Sequence, residues 1–173
     1  MSSTVTGSKM RAILIVAITA ISFVLSGCGG MKPYNGPEVT RILVYKEDRK
    51  MFLMHHDKVL KSYDIHLGFE PVGHKQYEGD GKTPEGSYLI NRRNPNSDFY
   101  LSIGMSYPNT VDVQRARAVG KSAGGDIFIH GESPDPRYKN KKDWTWGCIA
   151  VTDKEMEEIY PMVNLGTVIS VYP

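Results

Sequence analysis

From residue 38 onward the chain is built of short β-rich runs, each cut off by a cluster of turn formers or charges. "VTRILVYK" and "MFLMHH" flank the charged "EDRK", which predicts a hairpin. "KVLKSYDIHLG" places Val59, Tyr63, Ile65 and Leu67 in imperfect alternation and reads as a third strand. The turn-rich "GDGKTPEGSY" (79–88) interrupts, and "YLI" and "FYLSIGM" resume the strand character. "GGDIFIHG" is a short buried-type strand ending at His130, and "CIAV" and "TVISVY" supply two more. Helix signals are few. "TVDVQRARAVGK" (110–121) is Val-rich and only weakly helical. Further on, Thr152 and Glu155 form a capping box, Met156, Ile159 and Tyr160 share one helical face, and Pro161 stops the run. The expected fold is predominantly β with one or two helices. Strand order is not contained in the pattern.

Residues 1–27 stand apart from that domain. Lys9 and Arg11 precede "AILIVAITAISFVLSG", an apolar run shorter than the ~20 residues of a membrane-spanning helix and ending in small residues. "VLSGC" puts Leu25, Ser26 and Gly27 directly before Cys28, which resembles the lipobox of bacterial lipoproteins. The expected division is a signal peptide over 1–27, a lipidated N-terminus and tether over 28–37, and one folded domain over 38–173. The Gly/Pro-rich "GGMKPYNGPE" supplies the tether. An exported, lipid-anchored protein follows, and Gly29 in place of Asp points to the periplasmic face of an outer membrane. Lys9 and Arg11 are the only charged residues of 1–27, so without them 19 of the 21 basic residues face 19 acidic ones. That balance argues against a nucleic acid partner.

Removal of the signal leaves Cys148 as the single thiol besides Cys28. In an oxidising compartment an odd cysteine is a reactive thiol or an intermolecular bridge; a buried core filler is the alternative. Of the histidines 55, 56, 66, 74 and 130, His130 has the strongest setting, at a strand end with Gly131 letting the chain turn. If the two strand ends face each other, an imidazole lies beside the sulfur and an imidazolium would favour the thiolate. Gly147 leaves room for a carbonyl to approach the backbone N–H groups near Cys148, as an oxyanion hole needs. Metal chemistry lacks its motifs: there is no C-x-x-C and no H-E-x-x-H, and adjacent His55 and His56 on a strand would point to opposite faces.

These residues resemble the L,D-transpeptidases with the YkuD catalytic domain. Their signature is a histidine, a variable loop and a Ser/Thr-His-Gly-Cys cluster, matched here by His130 and by Thr145, Gly147 and Cys148, with Thr-Pro-x-Gly at 83–86 upstream. The resemblance spans roughly residues 38 to 173 and implies a mixed, β-sandwich-like transpeptidase fold. It implies that Cys148 attacks the carbonyl of a diaminopimelate–D-alanine bond in a peptidoglycan stem to give an acyl-enzyme. His130 would exchange the proton, and the Gly131 carbonyl would fix its tautomer. An amine acceptor would complete cross-linking or remodelling of the wall. No metal or organic cofactor is implied.

Two departures from the family pattern bear on function. Trp146 stands where the family usually has His, and Ala150 stands where many members carry Arg. "GCIAVTD" with "GDGKTPEG" is nearer the YafK-like branch, some of whose members hydrolyse and release a wall-anchored lipoprotein. Hydrolysis by an amidase or carboxypeptidase is therefore an alternative to transfer, and a wall-binding lipoprotein with an inactive site is the non-enzymatic one. Trp144 and Trp146 would share a face in extended chain and line the cleft, though core packing serves Trp144 equally well. Tyr107, Arg115 and Arg137 are candidates for a stem carboxylate, with solvated charge as their default reading.

Overall fold

The computed structural model describes residues 32–173. Eight strands, β1 (Arg41–Tyr45), β2 (Lys50–His55), β3 (Lys58–Asp64), β4 (Gly86–Ser97), β5 (Tyr100–Met105), β6 (Phe128–His130), β7 (Ile149–Ala150) and β8 (Val168–Tyr172), lie in the order β3-β2-β1-β8-β4-β5-β6-β7. Two helices, α1 (Thr110–Ala118) and α2 (Asp153–Met162), complete the domain, with a single 3-10 turn at Pro136–Tyr138. The expected β1–β2 hairpin is present, and so is each expected strand. Pairing is antiparallel except between β1 and β8 and between β6 and β7.

β4 is the hinge of the architecture. Gly86–Leu89 pair with β8, Ile90–Ser97 pair with β5, and two register shifts interrupt the second ladder. Such bulges bend a strand, so one twelve-residue strand serves both halves of the sheet. A single core fills the fold, with Ile42, Leu53, Ile103, Ile129, Ile149, Met156 and Ile169 almost wholly removed from water. β3 is the free edge. Its lysines are exposed and only Tyr63 is buried, as suits a strand that must not recruit another chain. Val59 therefore faces solvent, while Ile65 and Leu67 are buried beyond the strand's end.

α2 starts as its sequence predicts. Thr152 Oγ1 accepts from the Glu155 N–H, and the Glu155 carboxylate accepts from the Thr152 N–H. Met156, Ile159 and Tyr160 are buried, and the helix packs on β5. Pro161 does not stop the helix as its sequence suggested: it lies inside the last turn, and α2 runs on to Met162, with the Val163 N–H donating to the Ile159 carbonyl. α1 carries a capping box, Asn109 with Asp112, that the propensity reading passed over. His55 and His56 depart from expectation. His56 leaves the strand at φ +52°, so the two rings meet at 4.5 Å instead of facing apart.

Candidate active site

β6 enters between β5 and β7, with His130 opposite Ser102 on one side and Ala150 on the other. Ile129 and Ile149 are in register and point into the core. Strand alternation then gives the opposite face to Phe128 and His130, beside Cys148 and Ala150. Cys148 and His130 are offset by two register positions on parallel neighbours, about 8 Å between Cβ atoms from standard strand spacing and rise.

His130 is buried, and its ring packs against Phe99 at 4.6 Å and Trp144 at 5.5 Å between centroids. Nδ1 lies 2.7 Å from the Gly131 carbonyl oxygen, which accepts only from a protonated Nδ1 and so leaves the Nε2 lone pair free. Burial lowers the His130 pKa, and the Gly131 hydrogen bond opposes that only in part. Gly131 is confined in turn. Its N–H donates to the Phe99 carbonyl at 3.0 Å, and an added Cβ would overlap Asp153 Oδ1 and the Phe99 carbonyl.

Cys148 makes two hydrogen bonds through sulfur. The Phe128 N–H donates to Sγ at 3.4 Å, and the thiol donates to the Asp126 carbonyl at 3.5 Å. Neither goes to His130. Burial pushes the thiol up to about 11, against the Phe128 N–H and the charge of Lys75. Both shifts favour a thiol beside a neutral imidazole, where the sequence pointed to an imidazolium-assisted thiolate. Burial disfavours both charged forms, and no hydrogen bond between the two offsets it.

The cluster before the cysteine is structural in ways the sequence did not disclose. Buried Thr145 accepts from the Gly147 N–H at 3.1 Å and donates to the Cys148 carbonyl at 2.7 Å. This side-chain turn breaks the extended geometry, so the two tryptophans part company. Trp144 is buried among His130, Phe99 and Tyr138, while Trp146 is 67% exposed and meets Phe69 edge to face at 5.1 Å. Gly147 has φ +125°, and a Cβ there would come 2.6 Å from the Lys82 carbonyl oxygen. A side chain at residue 147 is therefore excluded on the Lys82 side, and the Gly147 N–H is already taken by Thr145.

Lys82 belongs to the "GDGKTPEG" loop, whose role is to support that wedge. The Asp80 carboxylate gathers the N–H groups of Gln76, Tyr77 and Lys82 and the ammonium of buried Lys75, at 2.6–3.2 Å. Thr83, fully buried, accepts from the Gly68 N–H. Asp143, beyond the reach of motif reading, binds Arg49 through both carboxylate oxygens and accepts from the Leu67 N–H at 3.0 Å. Burial works against ionisation there, yet these bonds hold its carboxyl below the usual range.

Three candidates do not join the site. Tyr107 is buried and donates to the Ala123 carbonyl, Arg115 lies beside Asp112, and exposed Arg137 is paired with Asp135. Cys28 lies outside the described residues. A cavity of ≈ 540 Å³ adjoins His130 through Trp144 and Ala150, with His66, Glu132, Thr152 and Asp153 also in its lining. Among the described residues no three histidine, cysteine or acidic side chains converge as metal ligands.

The L,D-transpeptidase catalytic domain family matches residues 39–171. The Escherichia coli K12 protein named "Putative L,D-transpeptidase YafK" is 31% identical over 145 residues, covering 76% of this chain and 53% of that protein. The helical cell shape determining protein Pgp2 of Campylobacter jejuni, as its K307A mutant, superposes with a TM-score of 0.61 at 28% identity, over 83% of this chain and 51% of that one. Bd1075 of Bdellovibrio bacteriovorus shares the fold with a TM-score of 0.57 at 24% identity, over 82% and 51%. The chain spans about half the length of the curated relatives it matches. By sequence and fold together, the chain belongs to the YkuD family of L,D-transpeptidase catalytic domains.

Proposed function

We propose that this chain is a peptidoglycan-modifying cysteine acyltransferase whose nucleophile is Cys148. The observation that carries the reading is the His130–Gly131 hydrogen bond, which leaves Nε2 unprotonated on the strand face that also holds the only cysteine of the described residues. Nε2 takes the thiol proton as Sγ attacks the carbonyl between the third and fourth residues of a stem peptide. The imidazolium then returns that proton to the departing D-alanine amine, leaving a thioester on Cys148. An amine of a second stem, or water, attacks the thioester and releases the enzyme. Nothing among the described residues accepts from the Cys148 N–H, so that donor serves the developing oxyanion. A neutral pair, with His130 buried and Cys148 partly exposed, suits this chemistry, because the charged pair forms only when substrate is in place.

The placement of the enzyme is part of the same proposal. Cys28 accepts the lipid after cleavage of residues 1–27, the tether holds the domain at the periplasmic face of the outer membrane, and the reaction remodels the wall there. The Pgp2 likeness, from a protein named for cell shape, supports a remodelling role. The test is incubation of the detergent-solubilised chain with defined tetrapeptide-stem muropeptides, followed by mass analysis of the products. Cross-linked or exchanged stems are expected from wild type and none from Cys148→Ala. Products consisting only of shortened or released stems would assign hydrolysis instead, and turnover by Cys148→Ala would end the reading.

A further inference from the structure

Trp146 has no structural task that explains its position. It is a large aromatic side chain 67% open to water, two residues before the nucleophile. Burial of such a ring is worth a few kcal/mol in general, so a fixed, solvent-facing one marks a contact surface. Its partner Phe69, 38% exposed, stands edge to face with it at 5.1 Å.

The pair is built on rigid backbone. The Phe69 N–H donates to the Thr145 carbonyl and the Glu70 N–H to the Gly81 carbonyl, both at 3.0 Å. The Phe69 ring lies on Gly81, where any Cβ would overlap it and where φ is +70°. Three segments, 68–70, 81–82 and 145–147, therefore converge to hold two rings at the surface.

Resting on the acyltransferase reading, we propose that Trp146 and Phe69 form a saccharide subsite for the amino sugar at the head of the reacting stem. The enzyme then acts on glycan-attached stems in preference to free peptide. Reach supports this occupant. Three extended stem residues separate the scissile carbonyl from the sugar, about 10 Å. Residue 146 lies two residues from Cys148, at most about 7 Å along the chain, and the indole extends the span further. Chemistry supports it as well. The stem between these points carries carboxylates and a methyl group, which offer little to an indole, whereas a pyranose presents a face of C–H groups that packs on an aromatic ring.

Two measurements on the full, detergent-solubilised chain test it. In the first, kcat/KM is compared for a disaccharide tetrapeptide and for the same tetrapeptide without sugar. Wild type should favour the former by about tenfold, an ordinary gain for one seated aromatic contact. In W146A that ratio should fall to about one through KM, and W146F should restore most of it; F69A should lie between. Because the ratio is taken within each variant, general damage to the site cancels. In the second, saturation-transfer NMR is run on Cys148→Ala with the disaccharide tetrapeptide. The sugar C–H protons should saturate, and should cease to do so when W146A is added. If no variant turns over either substrate while the sugar protons still saturate, the acyltransferase reading fails and the subsite stands. A wild-type ratio near one, a ratio unchanged in W146A, or saturation absent or confined to the peptide overturns the subsite.

Discussion

The Lys82 carbonyl oxygen stands 2.6 Å from the point where a Cβ on residue 147 would lie. The contact is backbone against backbone, so neither side can yield by rotating a side chain, and residue 147 also has φ +125°. Gly147→Ala should therefore destabilise the domain by about 1–3 kcal/mol from backbone strain, with a further penalty from the clash. Denaturant unfolding measures it. Activity should fall further than stability accounts for, because relief of the clash moves the residue that adjoins Cys148.

The electrostatics of the pair set a pH profile for stability. Burial lowers the His130 pKa, so the unfolded chain binds the extra proton first as pH falls. The stability held by neutral His130 is complete above the unfolded value near 6.5 and is lost as pH drops through the folded value. Cys148 has the opposite sign. Its thiol is raised to about 11, so its contribution is complete below the ordinary thiol range near 9 and is lost from there up to about 11. Stability measured against pH should slope upward through the acid region and downward through the alkaline one. Cys148→Ala should remove the alkaline slope between about pH 9 and 10, below the range where Tyr63, Tyr88 and Tyr107, also raised by burial, begin to contribute theirs. A slope between about pH 9 and 10 that is unchanged in that variant would contradict the raised thiol.

Arg49 and Asp143 tie the start of the cysteine cluster to the first hairpin across 94 residues of chain. Arg49 is about one-third exposed, which limits the strength of the pair through solvent screening. A double-mutant cycle with Arg49→Ala and Asp143→Asn should give a coupling of about 1 kcal/mol. The single Asp143→Asn variant should cost more than the coupling, since the Leu67 N–H then has a weaker acceptor. Additive effects of the two substitutions would show that the ion pair is incidental.

These contacts mark where sequence reading stops. The strands, the α2 capping box and the family were legible because each rests on residues near one another in the chain or on a motif of fixed spacing. Trp144 and Trp146 were misjudged because Thr145 Oγ1 bends the chain between them, a side-chain bond that alternation ignores. The Lys82 wedge and the Arg49–Asp143 clamp join segments whose pairing depends on strand order. The surroundings of His130 and Cys148, which favour the neutral form of each, were out of reach for the same reason.

The anchor is tested by Cys28→Ala. Wild type grown with a fatty-acid analogue should carry label, and the variant should carry none, because the proposed anchor has the Cys28 thiol as its lipid acceptor. Equal label on both would remove the lipoprotein assignment, leaving an ordinary export signal as the reading of residues 1–27.

His130→Gln separates the proposed catalytic role of the imidazole from any effect on the resting thiol. Gln keeps a polar group of similar size near the Gly131 carbonyl but supplies no base at Nε2. Loss of general acid–base catalysis typically costs 10²–10⁴-fold, so turnover should fall by about that factor. Without substrate the thiol donates to the Asp126 carbonyl and accepts from the Phe128 N–H, and burial, with no contribution from His130, pushes it up to about 11. Iodoacetamide should thus react slowly with folded wild type near neutral pH, and the rate should climb through the alkaline range in wild type and variant alike. Near-UV circular dichroism confirms that the variant compared is folded. Fast alkylation of wild type at pH 7 that disappears in His130→Gln would mean that a thiolate–imidazolium pair exists before substrate arrives, and the neutral resting site derived from burial would be wrong.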